Sequence, residues 1–155
     1  MPASYTVSIL SDAGSGDNVY IELVAAANVI VAVYKIEVSV VVAGADTGTS
    51  RVRVFRETTA ATGLTAGVTV IELNPAGAAP TTTANVKASG VFGGSGTTTD
   101  TLLDVAYQDR QTFSWVATTE RDFLRSDAGG RLIFRHVSLN SSGNHLYSVF
   151  FREES

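Results

Sequence analysis

A chain of 155 residues, 45% hydrophobic and only 17% charged, is sized for one domain that buries roughly two thirds of its unfolded surface. Its net charge of −4 and pI near 5.0 argue against a phosphate backbone as main partner, and the absence of cysteine excludes disulfides and thiolate metal sites. Soluble domains carry about a quarter charged residues, so this sparsely charged, hydroxyl-rich chain suits a protein packed against copies of itself or a partner.

The opening MPASYTVSIL has no basic stretch, no long apolar core and no small-residue cleavage site, so no export signal is predicted. Residues 5–10 read as a first strand, closed by the turn 11–16, and 18–24 as a second. An alanine-rich bend leads into 29–42, VIVAVYKIEVSVVV. From Tyr34 this run alternates, with Ile36, Val38, Val40 and Val42 on one face and Lys35, Glu37 and Ser39 on the other. A period of two with stiff β-branched side chains is the pattern of a strand with one buried face. The run is too short and too charged for a membrane helix.

Residues 44–48 reverse the chain into 50–56, where Arg51 and Arg53 lie opposite Val52 and Val54. With Arg56 they form a basic cluster, echoed by Arg131 and Arg135, and the chain holds nine arginines against two lysines. The planar guanidinium fork is favoured at protein contacts, which makes Arg51, Arg53 and Arg56 candidate contact residues. No exposed aromatics interleave with them as a nucleic-acid platform requires.

A Thr/Ala/Gly loop over 57–67 precedes a strand at 68–73. The segment 74–83, NPAGAAPTTT, is the most loop-like part of the chain. Strands at 85–92 and 101–107 flank the glycine run 93–97, and 113–116 carries Trp115, the only tryptophan. Residues 118–127 predict one short helical turn capped by Thr118 or Thr119. Gly129-Gly130 reverses into 131–139, and 140–144 turns into the last strand, 145–152. That final pair reads as an antiparallel hairpin. The sequon at Asn140-Ser141-Ser142 falls in the turn and, with no export signal, reads as an ordinary reversal. Phe150 and Phe151 are adjacent and so face opposite sides of the sheet, placing one of them at a subunit interface. Phe151, and Tyr5 at the end of the N-terminal arm, join the candidate contacts.

About ten short strands at intervals of about 8–12 residues, with no helix between them and no internal repeat, indicate a sandwich or barrel. Strand number, two long central loops and the closing hairpin favour an all-β, antiparallel two-sheet β-sandwich of jelly-roll topology. It is read as one domain over 1–155 with a short arm at about 1–5. Ile36, Val38, Val40, Val52, Val54, Leu132 and Phe134 are expected to face inward.

Residues that carry chemistry are sparse. His136 and His145, the only histidines, can face each other across the predicted hairpin, but two imidazoles without a third ligand make a poor metal site. The spaced histidines of a cupin-type enzyme are absent. Asp100, Asp104, Asp109, Asp122 and Asp127 sit at strand ends and turns, where aspartate serves the backbone. Glycoside hydrolysis needs two carboxylates about 5–10 Å apart in an aromatic-lined cleft. The 12–17 loop lacks a calcium-binding string. There is no G-x-S-x-G elbow, and the glycine run lacks the lysine of a phosphate-binding loop. No catalytic residue, cofactor or metal is predicted, and the chain is not read as an enzyme.

The segments DNVYIEL, VYKIEVSV, RVRVFRE, LNPAGAAPTTT, FSWV, GRLIFR and LYSVFFREE together have a familiar layout. It resembles the capsid decoration (cement or auxiliary) proteins of tailed bacteriophages, which have a jelly-roll fold similar to tumour necrosis factor. The resemblance runs from about Tyr5 to Glu154 and is one of pattern and composition. It implies a homotrimer on local threefold positions of the virion's outer capsid surface, made in the host cytoplasm. Its partner would be the major capsid protein, with no cofactor, nucleic acid or membrane. The contact regions expected are residues 1–5, 58–67 and 74–83, with Arg51, Arg53 and Arg56 meeting acidic capsid residues. The alternative is a carbohydrate- or receptor-binding jelly roll of a phage fibre, tail or vertex, which requires Trp115 and several tyrosines in one exposed groove. A small hydrolase requires the 100–109 aspartates to converge with a histidine in a cleft.

Overall fold

β-Branched and aromatic residues at every second position bury one face of each strand, and two such faces close on each other. The structure, a computed structural model, describes residues 3–10, 16–42, 48–74, 77–87, 94, 96–108, 110–138 and 144–155. The strands are β1 (Ser4–Leu10), β2 (Gly16–Val24), β3 (Ile30–Val42), β4 (Thr49–Glu57), β5 (Leu64–Val68) and β6 (Ile71–Glu72). They continue as β7 (Thr83–Lys87), β8 (Thr98–Gln108), β9 (Phe113–Val116), β10 (Leu124–Arg125), β11 (Arg131–Ser138) and β12 (Asn144–Glu154). A 3-10 turn at Glu120–Asp122 separates β9 from β10.

One sheet runs β10-β3-β12-β1-β6, with β9 also on β3, and the other runs β5-β7-β2-β11-β4-β8. The principal pairings are antiparallel and nested: β1 with β12, β2 with β11, β3 with β9, β4 with β8. The first principal strand thus pairs with the last, the second with the next to last, and so inward. The fold is an all-β, two-sheet sandwich of jelly-roll topology. The segment between β4 and β8 supplies β5, β6 and β7, which widen both sheets.

Ile36, Val38, Val52, Val54, Leu132 and Phe134 are fully enclosed between the sheets. Val40 is only half-buried, because the register of β3 against β12 slips at Asn144/His145 and the strand end leaves the core. A second slip at Phe150/Phe151 leaves Tyr34 as an extra residue, so Val33 and Ile36 both face inward. One bulge keeps this thirteen-residue strand in contact with the core along its length.

The expected hairpin at the C-terminus does not form. β11 lies between β2 and β4 in one sheet and β12 between β1 and β3 in the other. Alternation reports which face is buried and says nothing about which sheet a strand joins. The expected strand at 68–73 is divided, β5 and β6 joining different sheets. Gly67 at φ +76° allows the bulge of β5 against β7 between Thr65 and Val68. β10 follows the 3-10 turn as a short strand the sequence did not signal, and Thr119 is the N-cap. The turns expected at 11–16, 44–48 and 140–144 fall mostly outside the described residues, which leave out 1–2, 11–15, 43–47, 75–76, 88–93, Ser95, Asp109 and 139–143.

Candidate functional site

Arg51 and Arg53 stand on the outer face of β4 and Arg56 on the face turned toward the other sheet, and β8 places aspartates beside them: Arg53 is opposite Asp104 and Arg56 opposite Asp100. Arg51 grips Asp104 with both arms of its fork, Nε at 3.0 Å from Oδ1 and Nη2 at 2.7 Å from Oδ2. Arg53 Nε lies 3.4 Å from the same Oδ2. Arg56 Nη1 donates to Asp100 at 3.0 Å, and its Nε donates to the Arg125 carbonyl at 2.7 Å. Since Arg125 belongs to the other sheet, Arg56 bridges the two. The arginines and two of the five aspartates noted in the sequence are therefore each other's partners. Exposed pairs of this kind contribute about 0–1 kcal/mol each.

Tyr5 and Phe151 belong to the core, not to a contact surface. They are 2% and 0% exposed, face each other across β1 and β12, and their ring centroids are 5.5 Å apart. The Tyr5 hydroxyl donates to the Ala78 carbonyl at 2.8 Å. Burial first, and then Glu153 and Glu72, push that hydroxyl above its ordinary pKa. The reason for the placement is that β12 keeps its period of two unbroken: His145, Tyr147, Val149 and Phe151 all point inward. Phe150 is the residue left on the outer face, half-buried against Tyr34 and with Lys35 Nζ 4.8 Å from its ring centroid.

The chain itself holds both long loops. Glu22, 1% exposed, accepts from the Ala61 amide at 3.1 Å, Asn85 Nδ2 at 2.6 Å and Arg131 Nη1 at 2.9 Å. Thr62 and Gly94 exchange backbone hydrogen bonds, and the Gly96 amide donates to Glu57 Oε2 at 2.8 Å. A Cβ on Gly96 would stand 2.1 Å from the Thr59 carbonyl oxygen, so only glycine fits that approach. Across the molecule, Glu153 Oε1 accepts from the amides of Thr81 and Thr82 at 2.8 and 2.6 Å. The loops therefore do not need an external surface to order them. Glu22 was the buried anchor the sequence reading missed; its signal was one acid inside the apolar run NVYIELV.

His136 and His145 do meet, but across the sandwich interior rather than across a hairpin. Each is 2% exposed, one from each sheet, with ring centroids 5.2 Å apart. The Tyr107 hydroxyl lies 2.8 Å from His136 Nε2. Tyr20 meets the His136 ring edge-on at 5.4 Å and stacks on Tyr147 at 5.9 Å. Burial, and then the neighbouring His145, push the His136 pKa down to about 3, so that ring is neutral at ordinary pH. Burial likewise raises the Tyr147 hydroxyl, helped by Tyr107 and Tyr20. Among the described residues no group of three or more His, Cys, Asp or Glu is placed to hold a metal. The cluster is a closed polar plug in the core.

Two surface features remain. The outer face of the β1–β12–β3 sheet carries Thr6, Ser8, Ser148, Ser39 and Ser114, with Lys35 and Glu37 neutralising each other at 2.7 Å. Leu10 and Leu146 face each other on it, 53% and 38% exposed, and Ile71 and Val116 stand at its margins. The second feature is a groove of about 460 Å³ between β8 and the β9–β10 edge, lined by Leu102, Leu103, Trp115, Val116, Asp122 and Leu124 among others. Trp115 does line this groove, but no tyrosine joins it there. No family model, curated protein or solved structure gives a significant match to the chain. The class the fold defines is a jelly-roll sandwich with a hydroxyl-rich outer face, whose charged side chains are paired, and an open edge.

Proposed function

We propose that the protein is a structural subunit that does no chemistry, a trimeric decoration protein bound to the outside of a tailed-bacteriophage capsid. The observation that carries this reading is the outer face of the β1–β12–β3 sheet. It presents hydroxyls, Phe150, Leu10 and Leu146, and its charged side chains are tied in pairs, Lys35 with Glu37 and Arg152 with Glu120. Depletion of charge with retention of aromatic and aliphatic side chains is the compositional mark of an interface centre. The jelly-roll topology and the intramolecular pairing of Arg51, Arg53 and Arg56 with Asp100 and Asp104 also support a passive, preformed binding block.

A ligand that binds only the assembled shell stabilises it by mass action, and threefold attachment multiplies weak contacts through effective concentration. Particles lacking the protein are expected to release DNA at lower temperature, or under milder chelator or osmotic stress, than particles that carry it. Equal stability combined with failure to adsorb to host cells overturns the proposal in favour of a receptor-binding module.

A further inference from the structure

The sandwich is open along one side. β8 ends its sheet and, among the described residues, pairs with β4 alone, while β9 and β10 lie end to end along β3 at the matching edge of the other sheet. Hydrophobics that pack on the core yet stay partly exposed gather here: Leu102, Leu103, Val105 and Tyr107 on β8 and Trp115 on β9. The first half of β8 is blunted, since its register against β4 slips twice, at Arg56/Glu57 and at Val54/Phe55. Such bulges protect edges from pairing. Residues 103–108 have no such protection and run in unbroken register from Val54 to Thr49. Every second residue of an edge strand turns its N–H and C=O away from its neighbour.

Beside this stretch lies the Trp115 groove, and Asp122 stands in its lining. One carboxylate oxygen, Oδ2, accepts from Thr118 Oγ1 at 2.6 Å, the Thr119 amide at 3.0 Å and Thr119 Oγ1 at 3.1 Å. The Thr118 hydroxyl, and then the Thr119 amide and hydroxyl, hold the group below its ordinary pKa. The groove therefore offers an apolar wall with one fixed negative end.

We propose that this edge takes up an extended segment of another protein as an added strand beside residues 103–108. Alternate apolar side chains of that segment rest on Leu102, Leu103, Trp115 and Leu124, and a lysine or arginine faces Asp122. Strand addition draws affinity from main-chain bonds and specificity from alternate side chains, and both elements are in place. A second copy of this chain fits less well. β8 carries no lysine or arginine to meet Asp122, so a β8–β8 pairing leaves that carboxylate without a cation. The inference does not depend on the capsid reading.

The probe is a synthetic heptapeptide of alternating valine and threonine with a lysine at each end. Binding is followed by the emission of Trp115 and by amide hydrogen exchange over residues 103–108. A saturable emission shift is expected, together with about tenfold slower exchange of the outward amides, the equivalent of one or two backbone hydrogen bonds. Methylating the backbone nitrogens of the valines in one version and of the threonines in another must abolish the effect in at least one. Asp122→Asn should weaken binding about threefold, as a partly exposed ion pair does, with unchanged far-ultraviolet circular dichroism. The proposal is overturned by no saturable response at millimolar peptide, or by equal binding of both methylated versions. It is also overturned if protection of 103–108 in the free protein grows with its own concentration, which assigns the edge to a second copy.

Discussion

Glu22 and His136 illustrate two ways a buried polar side chain is tolerated. Glu22 is surrounded by donors from three elements and the 57–67 loop hangs on one of them. Glu22→Ala removes the acceptor and leaves Arg131 and Asn85 without it, so a loss of roughly 3 kcal/mol is expected in urea unfolding. Arg51→Ala, by contrast, removes an exposed pair and should cost less than about 1 kcal/mol. Equal losses for the two would contradict the placement of Glu22 as an anchor. His136 survives by staying neutral. Its pKa falls from 6.5 to about 3 on folding, so the unfolded chain binds a proton over that interval and the folded chain does not. Its contribution is fully present above pH 6.5 and is lost as pH falls toward 3, at up to about 1.4 kcal/mol per unit. Carboxylates titrate over part of this range as well, so the diagnostic quantity is a difference. The stability gap between the wild type and His136→Phe should shift in favour of the variant as pH drops from 6.5 to 3, and a gap independent of pH refutes this role.

At the scale of elements, the strands that were easiest to see in the sequence are those whose stiff side chains alternate without interruption. Ile36, Val38, Val52, Val54, Leu132 and Phe134 are all enclosed, because a period of two fixes a buried face whatever the partner. Val40 escaped the rule because the slip at Asn144/His145 depends on a neighbouring strand far away in sequence. The same blindness joined β11 and β12, which belong to different sheets, as a hairpin and assigned Phe151 to the surface. Once β12 is paired, Tyr147 and Val149 set the phase and Phe150 is left outside. Likewise, the arginines of β4 and the aspartates of β8 look like separate clusters until cross-strand register joins them. Substitution separates the two kinds of position. Phe134→Ala should cost about 3–5 kcal/mol as a core truncation, whereas Val40→Ala should cost about 1 kcal/mol or less. A Val40 variant as damaging as the Phe134 variant would show that the strand end is packed after all.

At the scale of the whole molecule, the described residues leave two different surfaces uncovered, a hydroxyl-rich sheet face whose charges are paired and an open edge. The sheet face is where self-association is expected. Its apolar pair Leu10 and Leu146 faces solvent from paired strands, and Ser8 and Ser148, one pair further along, bond hydroxyl to hydroxyl at 2.8 Å. A hydroxyl pair that bonds within the sheet loses less when water is excluded than two unpaired hydroxyls do, and covering the leucines removes apolar area from water. Leu146→Glu tests this directly. The side chain points away from the core, so stability of the folded chain should change by no more than about 0.5 kcal/mol. The charge would, however, have to be buried in any assembly formed through this face, at a cost of several kcal/mol per copy. Light scattering of the unmodified protein at high concentration is expected to give three times the 16.2 kDa chain mass, and the Leu146→Glu variant the chain mass itself. A single-chain mass for the unmodified protein, or a variant that assembles as well as its parent, removes this face from the contact and with it the main support for a trimeric shell protein.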